Sequence, residues 1–337
     1  MKILNGGVGK MAEIIAGVAM SHSPFIMTNE EGAGEKGQRF IQSAKEMKEW
    51  LKDNGADVIV LVSDDHFNSY FYDHMPSFTI GINECEGWGD WQIPQYKLPV
   101  QKDLAKHILN TGLNYNFDFA FSMKMKVDHG HTQAVYFLNS ELDIPVVPIA
   151  VNTAAPPLPT MDRCFQLGEL LRKSIETWES DLKVAIVASG GLSHWVPIPK
   201  INSEKPEDQT LIHILKNGRQ EIEQLDEYME SRKKRTTSLK TGPVNEEIDR
   251  LFLRLIEEKD YDSLRKWSSD FIEEKLGNGG QEIRNWLVLM GAVQNFESQL
   301  VCYEPIPEWV TGMAIVHFAK TINKEEKYIS SENKVSI

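Results

Sequence analysis

Ile14-Ile15-Ala16-Gly17-Val18-Ala19-Met20-Ser21-His22-Ser23-Pro24 is a short apolar run that gives way at once to polar residues and a proline. A run of this length, rich in Ile and Val and without polar alternation, fits a strand covered on both faces; the polar chain after it fits a turn at the strand's carboxyl end. The same pattern recurs outward along the chain. Asp57–Ser63 runs into Asp64-Asp65-His66, and Lys183–Ser189 runs through Gly190-Gly191 to His194. Further strands are expected at Ser77–Ile82, Asn116–Phe121 and Ile144–Val151. Between them, helical spacing of apolar residues marks Gly37–Lys52, Lys102–Asn110, Thr132–Leu138 and Arg163–Trp178. Strands alternating with helices predict an α/β fold.

From 201 to 280 the sequence turns polar and helix-like, with the basic run Arg232-Lys233-Lys234-Arg235. It reads as a helical insertion and not as a second core, and the basic run reads as a solvated face. Apolar periodicity resumes at Glu282–Phe296, and the strand-like runs Gln299–Tyr303 and Gly312–Phe318 return the chain to the sheet. The expectation is a single α/β domain over 11–320, with a central mixed sheet, helices on both faces and the insertion. Residues 1–10 form an N-terminal extension and 321–337 a C-terminal tail.

Apolar residues at 41% and charged ones at 25% give the chain enough material for a core and set it apart from disordered sequences. Its formal charge of −13 repels phosphate backbones and anionic lipid surfaces, so neither nucleic acid nor membrane is expected as a partner. No apolar run reaches the roughly 18–20 residues needed to span a bilayer, and Met1–Lys10 lacks a secretory apolar stretch. Cys85, Cys164 and Cys302 are odd in number and widely spaced, against both a disulfide framework and a thiolate zinc site. A cytoplasmic location fits. Asn5-Gly6-Gly7-Val8-Gly9-Lys10 resembles the end of a phosphate-binding loop, but Met11 stands where a hydroxyl is needed and no strand precedes it.

A lone histidine at a strand end is ordinarily a packing or capping residue. Three of them, His22, His66 and His194, each just beyond an apolar strand, predict one pocket at the sheet's carboxyl edge. Neutral imidazoles there can bind a divalent metal, and a carboxylate would complete a two-His-one-carboxylate face with positions left open. Spacing alone does not name that carboxylate. A further cluster, Asp128-His129-Gly130-His131, opens an expected helix, where its two histidines diverge.

Five ordered pieces, Ser21-His22-Ser23-Pro24, Asp64-Asp65-His66, Val127-Asp128-His129-Gly130, Gly190-Gly191-Leu192-Ser193-His194 and Gln281-Glu282-Ile283-Arg284-Asn285-Trp286, resemble the class III extradiol ring-cleavage dioxygenases, the superfamily of the protocatechuate 4,5-dioxygenase β subunit. The resemblance runs from about residue 13 to 318. Phe71-Tyr72-Asp73-His74-Met75-Pro76 and Pro305-Ile306-Pro307-Glu308-Trp309 are most similar to the 2,3-dihydroxyphenylpropionate 1,2-dioxygenase branch. Residues 83–98, with Gly87-Trp88-Gly89 and Trp91-Gln92-Ile93-Pro94, look more like protocatechuate- and gallate-type members. These segments are expected to line or brace the pocket.

The resemblance implies Fe(II) held by His22, His66 and Glu282, with His194 as acid/base and His129 as a second pocket histidine that contacts bound oxygen. His131 is then a supporting or surface residue. It implies a small aromatic diol and O2 as substrates in aromatic catabolism. The ring supplies the electrons, so no nicotinamide, flavin or 2-oxo acid is needed, in line with the lack of a dinucleotide fingerprint. A homo-oligomer is expected and a separate small subunit is left open, as is the choice among catechol, aminophenol and trihydroxy rings. Two other readings stand beside it: a hydrolase with Zn²⁺ in the same ligands, and a non-catalytic binding member of the superfamily.

Overall fold

The computed structural model describes residues 10–218, 220 and 225–320. The N-terminal glycine-rich stretch and the C-terminal tail, apart from Lys10, lie outside these. In chain order the first half reads β1 (Glu13–Met20), α1 (Phe25–Thr28), α2 (Gly34–Asp53), β2 (Val58–Asp64), β3 (Phe78–Gly87), β4 (Lys97–Leu98), α3 (Lys102–Asn114), β5 (Ala120–Val127) and α4 (His129–Leu138). The second half reads β6 (Val146–Val151), α5 (Met161–Glu176), β7 (Lys183–Ser189), α6 (Gln209–Asn217), α7 (Leu225–Thr237), α8 (Glu246–Glu257), α9 (Tyr261–Arg265), α10 (Ser269–Leu276), α11 (Ile283–Val293), β8 (Glu297–Ile306) and β9 (Thr311–Ala319).

These strands form one nine-stranded sheet in the order β4-β3-β6-β2-β7-β1-β9-β8, with β5 paired to β3. The central four, β6-β2-β7-β1, run parallel, while β9 joins β1 and β3 joins β6 antiparallel. The sheet is therefore mixed, with the parallel strands innermost, where helices shield both faces. Side-chain alternation assigns the faces. Val58, Val60 and Val62 of β2 join the core under α3, α5 and α8–α11, and Ile59 and Leu61 join the core under α2 and α4. Each of these β2 residues is almost wholly buried, worth roughly 1.5–3 kcal/mol apiece, so a one-residue slip of register would exchange the two cores and is strongly disfavoured.

The polar stretch after β7 builds helices. Asn245, Asp260 and Ser268 cap α8, α9 and α10 by accepting from Ile248, Ser263 and Phe271 amides, which satisfies one orphan N–H group in each first turn. Its apolar residues do not form an independent core: Phe252, Leu253, Ile256, Leu264, Ile272 and Leu276 complete the sheet's core, while Leu211, Ile214, Leu215 and Tyr228 pack with Phe67 and Phe71 in a small separate cluster. One expected strand is misplaced. Asn116–Phe121 is largely loop, with Asn116 at φ +58° and Phe117 and Phe119 buried beneath α3, and the strand itself begins at Ala120.

Candidate functional site

β2, β7 and β1 are neighbours, so the turns at their carboxyl ends bring His66, His194 and His22 together. The partner they meet is Glu282, the last residue of a 3₁₀ turn (Gly279–Glu282) that leads into α11. Glu282 Oε1 lies 3.2 Å from Nε2 of His66 and 3.2 Å from Nε2 of His194, and Oε2 lies 3.3 Å from Nε2 of His22. All four side chains are nearly excluded from solvent. His129, at the start of α4, stacks on His66 with ring centroids 4.3 Å apart. Every histidine singled out in the sequence for a role thus reaches one cluster, and Glu282 supplies its carboxylate.

Each imidazole is anchored through Nδ1, leaving Nε2 for the cluster. Nδ1 of His22 is 3.0 Å from Ser189 Oγ, that of His66 is 3.1 Å from Asp128 Oδ2, and that of His129 is 2.8 Å from Asp90 Oδ2. His194 Nδ1 donates to the Leu192 carbonyl at 2.8 Å. Glu282 Oε2 accepts from the Gly191 amide at 2.6 Å. A Cβ on Gly190 would sit 2.7 Å from the Glu282 carbonyl, so the Gly190-Gly191 turn admits a backbone approach that other residues would block. The loop after β2 is tied down by Asp65, which accepts from the amides of Asn68, Ser69 and Tyr70. Within it Phe67 is held at φ +56°, strain that the surrounding hydrogen bonds sustain.

Burial drives His22 down to about 3 against the pull of Glu282, which keeps the ring neutral. Burial also opposes charge on His66, but the Asp64 and Asp128 carboxylates outweigh it and hold that ring well above its usual value. Asp64 is itself pushed up to about 7 by burial and by Glu282. Burial would raise Glu282, but the surrounding imidazoles, with hydrogen bonds from His194 and His66, outweigh it and hold the group well below the usual carboxylate range. Three buried carboxylates, Asp64, Asp128 and Glu282, therefore surround imidazoles of which burial keeps His22 neutral while the carboxylates hold His66 and His194 above their usual range.

This donor set fits a divalent metal. His22 Nε2 is buried and makes no hydrogen bond. Donor atoms of His22, Asp64, His66 and Glu282 lie within 4.8 Å of one another, as do those of His22, His66 and His129. Nδ1 anchoring by hydroxyl and carboxylate groups is the usual support for a metal-binding imidazole. Cysteine has no part in it, since Cys85, Cys164 and Cys302 are free and buried elsewhere.

Two cavities meet at the cluster. An inner one of ≈40 Å³ is lined by His22, His66, His129, His194, Trp91 and Arg232, among others. It has room for a few solvent molecules, not for an aromatic ring. A wider one of ≈780 Å³ reaches His66 and Glu282 from the side of Tyr72 and Thr153. Trp195, Val196 and Ile198 stand between the two.

Sequence reasoning gave no role to Asp90, Asp128 or Arg232. Asp90 lies inside 83–98, flagged for bracing the pocket, and Trp91 beside it does line it. Of the two places left open for His131 the structure takes the supporting one: it is fully buried, with Nε2 3.0 Å from the Ile149 carbonyl. One reading needs correction. The basic run is not one solvated face, because Arg232 turns inward.

Residues 16–314 match the family described as the catalytic LigB subunit of aromatic ring-opening dioxygenase. A protein of Photorhabdus laumondii named 2,3-dihydroxyphenylpropionate/2,3-dihydroxicinnamic acid 1,2-dioxygenase is 34% identical over 311 residues, 89% of this chain and 95% of the relative. Proteins of the same name from Paraburkholderia xenovorans and Klebsiella pneumoniae are 33% and 32% identical, over 79% and 87% of this chain and 86% and 95% of theirs. An uncharacterised Escherichia coli K12 protein of known structure shares the fold, with a TM-score of 0.51 at 14% identity over 90% of this chain and 99% of its own. With an α/β fold that gathers four imidazoles and a carboxylate at one sheet edge, and with this match over most of its length, the chain belongs to the LigB family and is an extradiol aromatic ring-cleavage dioxygenase.

Proposed function

We propose that this enzyme holds Fe(II) through His22, His66 and Glu282 and inserts both atoms of O2 into a catechol, opening the ring beside its diol. The observation that carries the reading is the single carboxylate facing three Nε2 atoms, one of them buried without a hydrogen bond. Two imidazoles and one carboxylate, with no thiolate, suit Fe(II) and leave neighbouring positions open. Fe(II) there would supply a centre that joins the diol to O2 and passes electron density from ring to oxygen.

The remaining work falls to the chain's own groups. His194 donates Nδ1–H to the Leu192 carbonyl, which turns its Nε2 toward the cluster, where it can take a hydroxyl proton from the diol and return it later. His129, held by Asp90, serves as the second pocket histidine on the oxygen side. The wider cavity, within the size range of small-molecule sites, gives a ring its approach. The relatives' names point to a catechol whose substituent is a short carboxylic acid. Residues 11–320 form the catalytic domain in this reading, with the insertion at about 201–280 covering the pocket.

A cytoplasmic location belongs to the same proposal, supported by three free cysteines; among the described residues no helix is long and apolar enough to cross a membrane. The test is an assay of Fe(II)-loaded protein with a panel of catechols, with and without oxygen. One O2 consumed per ring opened, and both labelled atoms of ¹⁸O2 found in the product, are expected. Turnover of the same panel without O2, or activity with Zn²⁺ in place of Fe(II), would point to the hydrolase reading.

A further inference from the structure

Lys233 and Lys234 are exposed on α7, whereas Arg232 and Arg235 are half-buried on its inner side. Arg235 is engaged locally, with Nη2 2.8 Å from Asp208 Oδ1. Arg232, with Thr236 one turn on and Leu239 beyond, lines the inner cavity that holds the four imidazoles and Glu282. Its Nη1 donates to the His66 carbonyl and, at 2.9 Å, to Asn68 Oδ1, both neutral oxygens. Among the described residues lining that cavity it is the one Lys or Arg.

Resting on the function proposed above, the geometry points to Arg232 as the anion-binding residue that selects catechols whose ring substituent ends in a carboxylate. Outside the imidazole cluster the cavity offers an anion no other cation among the described residues. Glu282 repels it, and Trp91, Trp195, Val196, Ile198, Leu239 and Val310 offer apolar walls, where an unpaired charge is costly. A planar guanidinium can meet a carboxylate with paired N–H donors, which is stronger than its bonds to neutral oxygens. The reach also fits. Arg232 bonds the backbone of His66, whose imidazole belongs to the donor set, so cation and metal site are separated by one side chain, about the span of a short alkyl linker. Since the inner cavity is smaller than a ring, a bound ring must displace part of its wall. An ion pair from substituent to Arg232 would hold α7 on the occupied site.

The experiment compares 3-(2,3-dihydroxyphenyl)propionate with its primary amide, equal in shape and without charge, on the Fe(II)-loaded full chain. kcat/KM for the acid should exceed that for the amide by roughly 10- to 100-fold, chiefly through KM, the usual worth of a charge-assisted contact. Arg232→Gln should bring the ratio near one, and Arg232→Lys should keep part of it. Binding measured without oxygen gives the same ratio as Kd values, independent of turnover. Acid preference in binding without ring opening would sustain this proposal and overturn the catalytic reading. Ring opening with no acid preference would do the reverse. A fall for both ligands together in Arg232→Gln, with the ratio kept, would make Arg232 a brace of the His66 loop and overturn its selective role. Should Arg232→Gln fail to fold, the wild-type ratio and Arg232→Lys decide the matter.

Discussion

Asp128 grips His66 twice: its Oδ2 accepts the His66 backbone amide at 2.7 Å and faces the ring Nδ1 at 3.1 Å. The first contact fixes where the residue sits and the second holds Nδ1 away from the cluster, so Nε2 is the nitrogen that faces Glu282. Burial alone would raise the Asp128 carboxyl, yet His66 and the amide bonds hold it far below its usual range. Replacement by Ala removes both grips and leaves the ring free to turn or change tautomer. Iron affinity should fall by roughly 10- to 100-fold, the typical cost of losing such a supporting group, measured by chelator competition. Unaltered affinity would mean that the ring is positioned by its packing on His129 instead.

The proposed ligands and the proposed proton-transfer groups should separate in a metal assay. Protein prepared without oxygen should carry about one iron per chain, and His22→Ala, His66→Ala and Glu282→Ala should each abolish retention. His194→Gln and His129→Gln should keep iron and catechol binding while ring opening falls by roughly 10² to 10⁴. The division is a sharp one to test because His194 lies as near to Glu282 as His66 does. If His194→Gln lost its iron and regained full activity once iron was restored, His194 would be a ligand-shell residue.

Asp249 makes a pH prediction away from the metal. It lies on α8, wholly buried, and accepts from Ser193 N at 2.9 Å, Ser193 Oγ at 2.8 Å and Tyr303 OH at 2.9 Å. Burial outweighs these donors and pushes its carboxyl up to about 6. A folded value raised above the unfolded one, near 3.9, means that the folded state favours the protonated form. The contribution is complete below about pH 4 and is lost as pH rises through about 6. Asp249→Asn is always neutral, so the wild-type melting temperature should fall relative to that variant between pH 5 and pH 7.5. Parallel curves for the two proteins would show that Asp249 ionises in the fold without cost.

The sequence revealed most where physics is local. β1, β2 and β7 were readable because strands buried on both faces are uninterrupted apolar runs, and their polar ends marked His22, His66 and His194. β5 was not, because it is an outer strand with Lys124 and Lys126 among its residues, while the more apolar Phe117 and Phe119 before it are buried in a loop. Contacts between distant residues were also hidden. Asp90 meets His129 across 39 positions and Arg232 meets Asn68 across 164, and no spacing rule reaches that far. Glu282 could be named only through family resemblance, since an acid before a helix has a sufficient local explanation in the helix dipole.

Gly279 yields a test of His194 that leaves the histidine in place. A Cβ there would lie 2.2 Å from both Cδ2 and Nε2 of the His194 ring, well inside contact distance. His194 cannot shift as a unit, because its amide donates to the Leu276 carbonyl at 2.7 Å and its own carbonyl accepts from Gly279 at 3.1 Å. The ring itself must then turn, breaking the 2.8 Å bond of Nδ1 to Leu192 that sets its tautomer. Gly279→Ala should therefore lower kcat toward the level of His194→Gln, with iron retained through His22, His66 and Glu282. Because both changes disable one group, adding His194→Gln to Gly279→Ala should cost little more, a strongly non-additive pair. A double variant that fell by the full product of the single effects would mean that the clash had been relieved in the 3₁₀ turn, with His194 still working in Gly279→Ala.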